Sequence, residues 1–496
     1  MIPARLRPRA DALGSATCFD SQGVRLLSVL SRLATSVAAA CLIAAPAMAQ
    51  DAEAIRTAET LRDRALEGTI AYDVVEQITT RFGPRMAGTD AERAAAEWGE
   101  GFLNAQGFAN VRIEDFPLSV WNRGVEQVEV LSPFPQPLTV TALGGAMATP
   151  ADGVTGEAVI FRTYQDLLDQ PEGALDGKIA VVLQDTPRAQ DGRGYGSTSV
   201  IRFQGPTEAA RRGAVGFLLR SLGTHDHRFA HTGATSVSDD AVPAFAISPP
   251  DADQLARMAA MTDEPIRIRL FSTAAFAEPT RSQNVIAEVV GSERPEEVIT
   301  IGGHLDSWDL GTGAIDDASG IGITTAALKL IADLPEAPRR TIRVVWWGAE
   351  EVSQPAPAQG LAGARAYADS ISDEAANHVA ISESDFGAGP IYALSLPAGM
   401  GGTEFQRAAM RVLTPLGIVW DGAPARGGGP DTGPTVALGV PAFRLAQDGT
   451  DYFDTHHTVD DVIDRIEPEN LDQNVAAWAA LLWLIADSDV DFRSAE

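Results

Sequence analysis

Five short segments carry side chains that bind divalent cations: His304-Leu305-Asp306, Ala314-Ile315-Asp316-Asp317-Ala318-Ser319-Gly320, Glu350-Glu351, Glu383-Ser384-Asp385 and His456-His457. A single His-x-Asp or Glu-Glu pair is most often a solvated or capping feature, so none of them is diagnostic alone. Together they offer imidazole nitrogen and carboxylate oxygen without thiolate, a donor set that suits zinc in a hydrolytic site, with manganese or cobalt as substitutes. Five converging side chains are enough for two ions. Two cations bridged by one carboxylate lower the pKa of a shared water and clamp both oxygens of a tetrahedral intermediate. Adjacent residues at a strand end point different ways, so Glu350 and Glu351 can divide the tasks of base and ligand. Asp306, two residues from His304, is placed to hold the other ring nitrogen of that histidine through its carboxylate.

These segments need elements to bring them together. After Gln283 the sequence alternates apolar runs of strand length, at 298–303, 341–347, 378–382 and 440–445, with helical periodicity at 320–334, 360–370, 403–416 and 471–487. Such alternation predicts an α/β fold, a mainly parallel or mixed central sheet flanked by helices. The ligand types then fall just beyond the carboxyl ends of strands, where such sheets collect function. Residues 51–107 read as helical, interrupted at Phe82-Gly83-Pro84-Arg85, and 111–120 and 125–131 read as strands. Between 122 and 278 the texture changes to short strands at 158–161, 179–183 and 215–219, with helical periodicity only at 206–212 and 251–261. This predicts a β-rich inserted domain, and the length of the chain also favours more than one domain.

The ends and the charge narrow the function classes. Arginines 5, 7, 9, 25 and 32 precede an alanine-rich apolar stretch ending Ala47-Met48-Ala49, the pattern of a signal peptide cut before Gln50. The stretch is short and broken by Pro46, which argues against a membrane anchor. Both cysteines, Cys18 and Cys41, lie in that leader, so the mature chain has no thiol chemistry; lipid attachment at Cys41 ranks low because Ala38 stands where a leucine is usual. With 38 basic against 67 acidic residues and a net charge of -29, neither nucleic acid nor an anionic membrane surface is expected as a partner.

At the level of whole motifs, His304-Leu305-Asp306-Ser307-Trp308-Asp309, Gly313 to Gly320, Trp347-Gly348-Ala349-Glu350-Glu351, Glu383-Ser384-Asp385 and His456-His457-Thr458 resemble the M28 zinc peptidases, and within them the carboxypeptidase Q branch. The likeness runs from Phe82-Gly83-Pro84-Arg85 through Trp121-Asn122-Arg123-Gly124 and His231-Thr232-Gly233 to the C-terminus. It implies two Zn2+ per chain, with Asp316 bridging them, His304 and Asp385 completing one ion, and Glu351 and His457 the other. Glu350 would then be the general base that takes a proton from the bridging water, and the Asp316-Asp317 peptide would be cis. The resemblance further implies a homodimer and likens the insert to a protease-associated domain; with the leader pattern and the change of texture, the expected map is signal peptide 1–49, first part of the peptidase domain 50–121, protease-associated-like insert 122–278 and zinc peptidase domain 279–496. The expected function is an exported, secreted or periplasmic di-zinc exopeptidase acting on dipeptides or short peptides. A catalytically silent binding protein and a glutaminyl cyclase-like transferase are alternatives on the same scaffold, disfavoured by the complete ligand set and Glu350. Aminopeptidase and carboxypeptidase action both remain open.

Some positions depart from the family pattern. His456 stands where many relatives have a tyrosine that steadies the oxyanion, which makes it an oxyanion candidate. An insertion at 352–359 reads as a surface loop, with lining of the cleft as the alternative. The resemblance places the glycine-rich loop 426–433 at the substrate cleft, where Arg426 would meet a carboxylate and Asp431 an amine or a backbone group, with a tight turn as the alternative. His225, His227 and His231 read as surface histidines of a polar loop, with His231 approaching a partner subunit's cleft.

Overall fold

The computed structural model describes residues 52–493, so the leader and both cysteines lie outside the described residues. The strand Arg340–Trp347 is apolar on both faces because both faces are covered. Ile342, Val344 and Trp346 enter the larger core, while Val345 and Trp347 point the other way, toward Ala364, Tyr367 and Ile371. The alternation is the two-residue pleat of a sheet held between helices.

That sheet has five strands in the order Ala109–Leu118, Thr280–Val289, Arg340–Trp347, Arg294–His304, His378–Ile381. The first two contacts are antiparallel and the last two parallel, so the sheet is mixed, with its parallel half beneath the ligand segments. The helices Ala71–Phe82, Ser319–Ala332 and Pro468–Ala486 share the larger core. Pro468–Ala486 is buried almost throughout, which explains its near-continuous apolar sequence. Pro468 opens it where a missing N–H costs nothing.

The run expected as a strand at 440–445 is not part of this sheet. Pro441 has no N–H to give a ladder, and the strand forms later, as Arg444–Gln447, in a separate three-stranded sheet with Ile391–Ser395 and Val419–Trp420. Its link to the central sheet is a single bridge between Ile381 and Ala442.

Residues 126–272 build an eight-stranded sheet of their own. Its four successive strands Val154–Phe161, Ile179–Val182, Gly216–Arg220 and Ala244–Ile247 are parallel, so the segment is α/β rather than merely β-rich. Ile179 and Val181 face one core, Ala180 and Val182 the other. The helix expected at 206–212 runs over Arg193–Arg211, because burial of Thr198, Ile201, Arg202 and Pro206 overrides the poor propensity of its glycines and serines. The chain enters and leaves this segment through one antiparallel ladder, with Trp121 opposite Phe276 and Asn122 opposite Ala275. From Ala54 onward the described chain forms one compact unit.

Candidate active site

Three parallel strand ends place the first ligand types side by side. His304 closes its strand opposite Trp347, so Glu350 and Glu351 follow immediately beyond the neighbouring strand, and Asp385 follows His378–Ile381. Asp316 lies in the tight turn Ala314–Ala318 leading into the helix Ser319–Ala332, and its peptide bond to Asp317 is cis. The Asp317 carboxylate is turned away from the cluster and accepts the backbone N–H of His304 and of Gly320, both at 3.1 Å. A side chain on Gly320 would collide with the Ser384 carbonyl and Asp317, so only glycine lets these segments approach.

Asp316 stands at the centre. Its Oδ1 is 3.1 Å from His304 Nε2, and its Oδ2 is 3.0 Å from His457 Nε2. Asp385 Oδ1 is 3.7 Å from His304 Nε2, and Glu351 Oε2 is 3.0 Å from His457 Nε2. Two triads therefore share Asp316: His304, Asp316 and Asp385 on one side, and Asp316, Glu351 and His457 on the other, the donor atoms of each within 4.8 Å of one another.

The residues present fit cations. His304 donates from Nδ1 to the Asp306 carbonyl at 2.9 Å, which leaves Nε2 as a lone pair facing the cluster. His457 directs Nδ1 to the Thr232 carbonyl at 3.4 Å, with the same consequence. Asp316 Oδ2 and Glu351 Oε1 are buried without a hydrogen-bond partner among the described residues. Buried carboxylate oxygens are costly in that state unless a cation takes them.

Charge and burial compete throughout the site. Burial pushes Glu350 and Glu351 well above the usual carboxylate range; Glu351 and Asp385 add to it for Glu350, and Asp316 for Glu351. Burial would raise Asp316 too, but His456, His304 and His457 outweigh it and hold that carboxylate well below its usual range. His304, despite its burial, is lifted by Asp316 and Asp385.

Asp306 is arranged differently from the sequence expectation. Its backbone carbonyl, not its carboxylate, holds His304; the carboxylate is 3.7 Å from that ring and instead accepts the N–H of Glu350 at 3.0 Å and of Glu351 at 3.2 Å. His456 stacks on His457 at 3.5 Å between ring centroids, with Nε2 3.5 Å from Asp316 Oδ2. Asp431 is fully buried; burial, with Asp306 and Asp385 nearby, pushes it up to about 8. Its N–H donates to Glu383 at 2.8 Å. Arg426 is exposed and does not line the cleft, whereas Pro430 of the same loop does.

The cleft over the cluster measures about 460 Å³, the size of a small-molecule or short-peptide site. The 352–359 insertion borders it through Ser353 near its start, and Gly360 just beyond its end does too, while 356–359 are exposed. His225 and His231 are not surface histidines, and only His227 of that group is exposed. His231 is 1% exposed and bonds His456 of its own chain, Nε2 to Nδ1, at 2.9 Å. The chain covers these residues with the segment around 452–457, which no local pattern announces.

Sequence reasoning also missed the residues that hold the site in shape. Trp308 donates from Nε1 to Glu351 Oε2 at 2.6 Å. Arg85, fully buried, donates to the carbonyls of Leu305 at 2.8 Å, Thr312 at 2.7 Å and Gly313 at 2.9 Å, tying the His304 and Asp316 loops together. Both stand inside motifs read for their family likeness; the signal was present without its use.

Comparison with known proteins agrees with this geometry. Residues 284–482, which contain both triads and Glu350, match the model of peptidase family M28. The chain is 32% identical over 427 residues to carboxypeptidase Q of Mus musculus, covering 84% of this chain and 86% of that protein. It is similar to the crystal structure of a peptidase M28 precursor from Shewanella amazonensis SB2B, with 45% identity and a TM-score of 0.84 over 89% of this chain and 98% of that one. A zinc aminopeptidase from Bacillus subtilis shares the fold at a TM-score of 0.61 and 19% identity, over 85% and 96% of the two chains. With a carboxypeptidase matched over most of both lengths and the family model spanning the whole cluster, the chain belongs to peptidase family M28.

Proposed function

We propose that this metallopeptidase is a two-zinc exopeptidase that hydrolyses dipeptides or short peptides. The observation that carries the reading is Asp316, a member of both triads, whose two oxygens face His304 and His457. His304 and Asp385 would hold one zinc and Glu351 and His457 the other, with Asp316 common to both donor sets. Zinc there supplies Lewis acidity, polarising a carbonyl and acidifying water. Glu350, beside the two donor sets, would receive a proton from the attacking water and pass it to the leaving amine. His456, fixed by His231, presents Nε2 toward the reacting centre as a donor for the developing oxyanion. Trp308 and Asp306 orient Glu351 from either end, through its carboxylate and its backbone.

The leader pattern supports export with a mature start at Gln50, and no helix among the described residues is long and apolar enough to cross a membrane. The family likeness supports a protease-associated-like role for 122–278 and a homodimer. Metal analysis after dialysis, combined with a dipeptide panel, tests the proposal. Two zincs per chain and dipeptide hydrolysis are expected; a folded, metal-free protein without turnover under zinc would overturn it.

A further inference from the structure

The chain enters the segment that carries the second sheet through the short ladder at Trp121–Asn122, and the next residue, Arg123, is only 8% exposed. All five of its N–H groups are committed. Nε donates to both oxygens of Asp309, at 3.0 Å and 2.9 Å, and Nη2 adds a bond to the same carboxylate at 2.6 Å. Nη1 donates to the Thr141 hydroxyl at 2.7 Å and to the Ala142 carbonyl, and Nη2 to the Thr232 hydroxyl at 3.2 Å. Asp309 lies in the loop after the strand Arg294–His304, whereas Thr141, Ala142 and Thr232 belong to the inserted segment. A guanidinium fork gripping a carboxylate, with its remaining donors used, fixes geometry as well as charge. One side chain therefore joins the two parts.

Both Glu351 and His457 lean on this joint. The Arg123 guanidinium lies 5.8 Å from the centre of the Trp308 ring and 5.2 Å from that of Trp121, and the two rings are set edge to face. Trp308 is the residue that donates to Glu351 Oε2 at 2.6 Å. Its indole presses on Gly144 of the inserted segment so closely that a Cβ there would stand 1.9 Å from Trp308 Cη2. For His457, Thr232 donates its N–H to the histidine carbonyl at 3.0 Å and takes Nδ1 on its own carbonyl at 3.4 Å. The Thr232 hydroxyl, which accepts from Arg123, donates to the Ala142 carbonyl at 3.0 Å. Arg123 thus reaches Glu351 through one indole and His457 through one threonine.

The donors on the other side of Asp316 are supported from the central sheet. His304 is held by the Asp306 carbonyl at Nδ1 and by the Asp317 carboxylate at its N–H. Asp385 follows Ser384, whose N–H donates to the Gly302 carbonyl at 2.9 Å.

We infer that Arg123 is a positioning residue for one of the two cations: it sets the affinity of the donor set completed by Glu351 and His457 and leaves that of His304 and Asp385 unchanged. This rests on the proposed two-zinc reading. By linkage, a cation on Glu351 and His457 stabilises in return the seating of the inserted segment at Gly144 and Thr232.

The test strips the protein of metal and titrates it with zinc against a competing chelator. Arg123→Met keeps an apolar stem against the indoles and removes the fork. The wild type is expected to bind two zincs per chain; in Arg123→Met one keeps its affinity and the other is weakened about 10- to 100-fold. Asp385→Ala and His457→Ala, each leaving one three-residue donor set intact, assign the loss. Adding Arg123→Met weakens zinc binding in Asp385→Ala and not in His457→Ala. A merely structural role lowers both affinities together. Equal loss, no loss, or loss confined to the His304 and Asp385 set therefore overturns the inference and leaves the two-zinc reading standing. Fewer than two zincs on the wild type overturns both. Hydrogen exchange reads the reverse coupling and needs no change at Arg123. Zinc saturation is expected to slow the amides of Gly144 and Thr232 in Asp385→Ala and not in His457→Ala, and unaltered exchange in Asp385→Ala overturns the inference.

Discussion

The carboxylate of Asp306 accepts the backbone N–H of Glu350 at 3.0 Å, reaching from the end of one central strand to the end of its parallel neighbour. Its second oxygen takes the N–H of Glu351 at 3.2 Å, and its carbonyl fixes the ring of His304. A single residue therefore sets the orientation of the proposed base and of one ligand on each side of Asp316.

Replacing Asp306 by asparagine leaves one acceptor where two amides need one each and turns an NH2 toward an N–H. Zinc affinity is expected to fall about 10- to 100-fold. Titration against a competing chelator reads this directly, and unchanged affinity would remove Asp306 from the supporting frame.

Glu350→Gln keeps the volume of the proposed base and removes its ability to take a proton. The expected result is a loss in kcat of about 10²- to 10⁴-fold with zinc stoichiometry retained. Loss of an ion together with activity would instead assign Glu350 as a ligand and Glu351 as the base.

Chelation should lower thermal stability as well as activity, because the five proposed ligands crowd carboxylates and imidazoles into one cluster. Each restored ion stabilises the fold by about 2.7 kcal/mol at a free concentration 100 times its dissociation constant. Melting temperature measured against zinc concentration is expected to climb with the logarithm of free zinc, and a flat curve would contradict the metal-site reading.

His378 gives a pH dependence independent of the metals. Burial, with Arg343 and Arg493 adding to it, pushes its imidazole down to about 3. The unfolded chain protonates near the ordinary value of about 6.5, so between these values it binds more protons than the folded chain. Stability from the neutral histidine is full above about pH 6.5 and falls with decreasing pH by about 1.4 kcal/mol per unit until the folded pKa is reached. Relative to His378→Leu, the wild type should lose about 2 kcal/mol in urea unfolding between pH 7.5 and pH 5. Parallel stability curves for the two proteins would contradict the assignment.

The core of the site was readable because strand ends and their first loop residues are local in sequence. His304, Glu350, Glu351 and Asp385 follow apolar runs whose neighbours in the sheet can be inferred from strand–helix alternation. The edges were not readable. The helix Arg193–Arg211 is poor in helix formers and is held by burial, so Tyr195 and Arg202 gave no periodic signal. His231 sits in a stretch polar enough to pass for a surface loop, and only contact with His456, 225 positions away, makes it interior.

The sequence by itself determined the ligand chemistry, since residue types and their order after apolar runs specify imidazole, carboxylate and a spare glutamate. Tertiary structure alone decided how these groups are partnered. Asp306 turns its carbonyl rather than its carboxylate to His304, and Asp316 divides its oxygens between two histidines 153 positions apart in the chain. It also brought the buried guanidinium of Arg202, from the helix Arg193–Arg211, to the wall of the cleft. Side-chain identity is a local property of the chain, whereas hydrogen-bond direction and the pairing of charges depend on which distant segments exclude water together.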